Sequence, residues 1–101
     1  MGWAAHYIAK LLDGNTVKFR PRGNSMEGRI RSGQLCTVVP LKEYSALKKG
    51  DIVLCKVGRS EYLHLISSIK QERFQISNNK GFVNGWISGT SIYGICVNIE
   101  N

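Results

Sequence analysis

Lys48-Lys49-Gly50-Asp51 is followed by Ile52-Val53-Leu54-Cys55-Lys56-Val57, then by Gly58-Arg59-Ser60, and then by Tyr62-Leu63-His64-Leu65-Ile66. A charged Gly-Asp turn, an apolar run, a second Gly turn and an alternating run together spell a β-hairpin. Alternation places His64 on the same strand face as Tyr62 and Ile66. The same rhythm extends in both directions, through Thr16 to Arg20 and Leu35 to Val39 upstream, and Arg73 to Ile76, Val83 to Ile87 and Ile92 to Ile99 downstream. Turn residues separate these runs so often that no crossover helices fit between them. The strands must therefore pair with near neighbours, and the expected fold is mostly β: a coiled antiparallel sheet or small β-barrel. The one helical pattern is Trp3, Ala4, Tyr7, Ile8, Leu11 and Leu12, stopped by Asp13-Gly14-Asn15. The organisation reads as a helix and turn over 1–15 and a single β domain over 16–101.

The chain has 101 residues, 43% of them hydrophobic, which suits one domain with a core that needs neither disulfides nor metal. No apolar run approaches the ~20 residues of a membrane-spanning helix, and the start lacks a charged segment followed by a long apolar one. The chain reads as soluble and cytoplasmic. Three cysteines exclude a closed set of disulfides. Cys36, Cys55 and Cys96 each fall inside a strand-like run without His at ligand spacing, so they read as reduced core thiols. No cofactor is expected.

Fourteen Lys and Arg against seven Asp and Glu give a net charge of +7. Lys18, Arg20, Arg22, Arg29 and Arg31 form a dense stripe opposed only by Glu27. Such a stripe is either a solvated face or a steering surface for nucleic acid or an acidic protein.

Pro21-Arg22-Gly23-Asn24-Ser25-Met26 breaks the strand rhythm with residues suited to a tight turn, so Ser25 is expected to project from it. A serine hydroxyl becomes a nucleophile when a neighbouring base takes its proton, and backbone N–H groups freed at the turn can hold the oxyanion. His6 and His64 are the two candidate bases, histidine being the side-chain type that exchanges a proton near neutrality. Asn78, Asn79, Gly81, Asn84 and Gly85 read as one turn region whose side chains bond their own backbone.

Gly23-Asn24-Ser25-Met26, Ile30-Arg31-Ser32-Gly33-Gln34-Leu35 and Lys49-Gly50-Asp51-Ile52-Val53 together resemble the motifs of the signal-peptidase and LexA-repressor superfamily of serine peptidases. Around Tyr62-Leu63-His64-Leu65-Ile66 the chain is similar to the branch that uses histidine as its base. Ser77-Asn78-Asn79 falls where that family has a Gly-Asp-Asn box, and Ile92 to Val97 where it has its last Gly-containing strand. The resemblance spans roughly residues 17 to 99. It implies the family's coiled β-domain, Ser25 as nucleophile, His64 as general base, the backbone near Ser25 and Met26 as oxyanion site, Ser77 and Asn79 as supporting residues, and an extended peptide as substrate. The sequence departs from the pattern at Gly28, where Pro is usual, at Gln34, where an acid is usual, and at Ser77, where Asp is usual. A serine can orient an imidazole but cannot balance its positive charge.

A freestanding peptidase-like core follows from this, with a non-catalytic, regulatory module on the same fold as the alternative.

Overall fold

Ile52–Val57 and Ser60–Lys70 form the central hairpin, and the strands before and after them add to either side of it. In the computed structural model, which describes residues 2–101, the elements are α1 (Ala5–Leu12), β1 (Val17–Phe19), β2 (Leu35–Pro40), β3 (Ile52–Val57), β4 (Ser60–Lys70), β5 (Arg73–Ser77), β6 (Val83–Ser88) and β7 (Ile92–Glu100). They build one antiparallel sheet of seven strands in the order β1-β2-β7-β3-β4-β5-β6. The helix and the alternating runs thus lie where their periodicity put them, each within a few residues. The barrel alternative is corrected: β1 and β6 are the two ends of the sheet order and do not pair, so the sheet is open. It nonetheless curls, for Gly85 of β6 packs against Val57 of β3.

Alternation along β3 divides the interior in two. Ile52 and Leu54 face a cluster with Leu63, Met26, Ile30 and the buried face of α1, while Val53 and Cys55 face a second cluster with Ile66, Phe74, Ile76 and Ile87. Each large apolar side chain sealed this way contributes about 1.5–3 kcal/mol of transfer free energy. An eight-residue helix is marginal by itself, so α1 is held by docking Ile8 and Leu11. No side chain of its own caps α1. Instead Ala4 N–H donates to Glu61 Oε1 at 2.6 Å, and Trp3 Nε1 donates to the Glu61 carbonyl at 3.0 Å. The start of β4 therefore fixes where the helix begins.

Burial pushes the Cys36 and Cys55 thiols up to about 12, and burial also raises Cys96. All three are free thiols. A thiol held protonated is a small hydrophobe rather than a nucleophile. Among the described residues no helix is long and apolar enough to cross a membrane. Nor do three His, Cys, Asp or Glu side chains gather there where a metal ion could sit.

Candidate functional site

The chain leaves β1 at Phe19 and turns through 23–29, pinned from below by Met26 and Ile30, which are 5% and 3% exposed. Ile30 N–H donates to Met26 O at 2.7 Å, closing a helical turn between the two plugs. With Met26 driven inward, its neighbour Ser25 is left exposed on the rim. The turn is also tied to the segment after β5. Asn79 N–H donates to Ser25 O at 2.9 Å, and Asn79 Nδ2 donates to Glu27 O at 2.8 Å. Gly28 makes this tie fit: its φ is +97°, and a Cβ there would meet Asn79 Nδ2 at 2.8 Å. The glycine that departs from the motif thus leaves room for Asn79. Among the described residues the N–H groups of Ser25 and Met26 enter no hydrogen bond.

His64 lies in β4 opposite Val53 and is 7% exposed. Its ring tilts against Tyr62 at 4.7 Å between centroids, as alternation requires of residues two apart. Nε2 lies 3.2 Å from Ser25 Oγ, and Nδ1 lies 2.7 Å from Asn84 Oδ1. The amide oxygen can only accept, so Nδ1 carries the proton and Nε2 presents its lone pair to the Ser25 hydroxyl. Burial lowers the His64 pKa from 6.5, and the Asn84 bond opposes that shift. The imidazole is therefore neutral near pH 7, the form a general base needs.

Asn84 was expected in a turn; it belongs to β6. The register between β5 and β6 slips where Ile76 faces Gly85 and Ser77 faces Val83, which leaves Asn84 as the extra residue of a β-bulge. Bulges re-aim side chains, and this one is enabled by Gly85, whose φ of +152° suits glycine. The retrievable signal was an Asn-Gly pair inside the otherwise strand-like Val83 to Ile87. Asn78 does act as a turn residue, its Oδ1 accepting from Lys80 and Phe82 N–H at 2.9 Å each. Ser77 is buried in β5 opposite Leu65, the neighbour of His64, so the pleat puts it on the other face of the sheet. The Nδ1 side of His64 is occupied by Asn84 in its place. His6 sits exposed on α1.

Ser25 and His64 open onto a cleft of about 570 Å³. One wall is aromatic, with Tyr7 stacked on Phe19 at 4.4 Å and Trp3 edge-on to Phe19 at 5.7 Å. Arg20 and Arg22 lie on the same cleft. Lys18, Arg29 and Arg31 are exposed like them, but Arg29 donates to Gly50 O and Arg31 to Asn101 Oδ1, which draws both toward other loops. Arg31 nonetheless lines a smaller depression with Arg22 and Ser25, so Arg29 is the member of the stripe that reaches away, toward Gly50. No family model matches the chain, and no curated protein matches it either.

Proposed function

We propose that this protein is a serine peptidase of the signal-peptidase and LexA-like type that cleaves an extended peptide with a Ser25–His64 dyad oriented by Asn84. The observation that carries this reading is the hydrogen-bonded line from Ser25 Oγ to His64 Nε2 and from His64 Nδ1 to Asn84 Oδ1. Asparagine serves as the orienting third group in other nucleophile–histidine sites, where it fixes the tautomer without adding charge.

The chemistry follows from those atoms. Ser25 Oγ bonds to the substrate carbonyl carbon as its proton passes to His64 Nε2. The resulting oxyanion is held by the N–H groups of Ser25 and Met26, and Asn79 stabilises the turn that presents them. Collapse breaks the C–N bond while the Nε2 proton goes to the leaving amine. Water then attacks the acyl group, gives its proton to Nε2, and Ser25 is released protonated. No cofactor takes part, and the setting is soluble and cytoplasmic.

Incubation with a fluorophosphonate tests the reading. Wild-type protein should be labelled at Ser25, while Ser25→Ala and His64→Ala should not; labelling of all three at one rate would refute it. A second reading, a non-catalytic regulatory module that binds nucleic acid or an acidic protein, is favoured by the exposure of Lys18, Arg20, Arg22, Arg29 and Arg31. It requires affinity that falls steeply with salt and survives in Ser25→Ala.

A further inference from the structure

The approach to the nucleophile has a pattern that the peptidase reading does not use. From Val17 to Arg22 exposure alternates: Val17 and Phe19 are buried, Pro21 is half-buried, and Lys18, Arg20 and Arg22 are exposed. β1 pairs with β2 on one side and ends the sheet on the other, so its outer backbone groups face no strand. The segment continues beyond β1 under tether, with Gly33 N–H donating to Pro21 O at 2.8 Å and Arg20 Nη1 to Gly33 O at 2.9 Å. Three cations thus follow one another at every second residue along a free edge that runs into the turn bearing Ser25, with the Arg20 and Arg22 head groups leaning over Gly33.

Alternate residues of an extended chain lie ~6.5–7 Å apart on one side, and those of a strand laid alongside keep the same spacing and face. The intervening side chains of such a strand would fall toward Phe19 and the aromatic wall it forms with Trp3 and Tyr7. Glu61, the one carboxyl group on the cleft, forms no ion pair with these cations among the described residues: Oε1 receives Ala4 N–H and Oε2 is sealed from solvent. The overall charge of +7 attracts anionic segments to the molecule.

We infer that the substrate is an extended segment with Asp or Glu at alternate positions and apolar residues between, added to the free edge of β1 so that its acids face Lys18, Arg20 and Arg22. The inference rests on the peptidase reading for what happens at Ser25, but the docking is testable by itself. Binding of fluorescein-labelled ten-residue peptides to Ser25→Ala is measured by anisotropy. The peptides alternate Glu-Val, Gln-Val or Lys-Val, and a fourth groups the same Glu residues at one end.

The alternating Glu peptide should bind about tenfold tighter than its Gln counterpart at low salt, as three exposed ion pairs allow. That margin should disappear at about 0.5 M salt and in Lys18→Gln/Arg20→Gln/Arg22→Gln. Each single Gln variant should remove about twofold, a readout that stands if the triple variant does not fold. Equal binding of grouped and alternating Glu peptides would overturn the inference. So would a preference that persists in the Gln variants, or an oligothymidylate that binds tighter than every peptide. Acid preference in wild-type protein that takes no fluorophosphonate would refute the peptidase reading and leave the docking intact; labelling without acid preference would do the reverse.

Discussion

Replacing Asn84 with Ala removes the only side chain bonded to His64 Nδ1 among the described residues, at a ring that is 7% exposed. Leaving a buried N–H without an acceptor costs about 1–3 kcal/mol. If that cost falls on the catalytic orientation of the ring, it corresponds to about 5- to 150-fold in rate. A second effect has a definite sign. The Asn84 bond raises the His64 pKa while burial lowers it, so Asn84→Ala should move the acid limb of the labelling profile to lower pH. Asn84→Asp keeps the shape and places an anion beside the ring, so its acid limb should move up. The assay is the second-order rate of fluorophosphonate labelling at Ser25 between pH 5 and 9, with urea unfolding to confirm that each variant is folded. Labelling of Asn84→Ala within twofold of wild type, with an unmoved acid limb, would refute a positioning role for Asn84.

Linkage through the same ring affects stability. Because burial depresses the His64 pKa below 6.5, the unfolded chain binds more protons as pH falls through that value, so the urea midpoint of wild type should drop between pH 7.5 and 5.5. His64→Gln should lack that part of the drop. Gly28→Ala should destabilise by about 1–2 kcal/mol in urea, since φ is +97° and the new Cβ displaces Asn79 from Glu27 O; a change below ~0.3 kcal/mol would contradict this packing. Glu61→Ala should cost about 1–3 kcal/mol by leaving Ala4 N–H without its acceptor, whereas Glu61→Gln, which retains one, should cost less; equal losses would assign the effect to charge. Native protein should resist iodoacetamide at Cys36 and Cys55 at pH 8 and react after unfolding, as thiols raised to about 12 require; fast native alkylation of either would overturn that account.

Local sequence was sufficient for the elements. Period-two runs and Gly-rich turns marked the seven strands, and the helical spacing of Trp3, Ala4, Tyr7, Ile8, Leu11 and Leu12 marked α1, although Trp3 and Leu12 of that stripe are exposed. Those signals are short-range because side-chain direction repeats every two or 3.6 residues whatever the rest of the chain does. Strand boundaries were less sharp, as at β4, which begins at Ser60 before the alternation of Tyr62 to Ile66 becomes evident. Whether the sheet closes depends on how far its curl brings the end strands together, a sum over all pairings that no single run encodes.

The site divides along the same line. Sequence alone determined that Ser25 sits on a turn and that His64 shares a face with Tyr62, since both follow from patterning within a few residues. Only tertiary structure decided that the two meet at 3.2 Å, that Asn84 rather than Ser77 takes the far nitrogen, and that Arg20 and Arg22 border the aromatic cleft while Arg29 reaches toward Gly50. The physical reason lies in register. One extra residue in β6 turns Asn84 toward the imidazole, while the unbroken pleat of β5 turns Ser77 away, and register is set by how strands pair across the sheet.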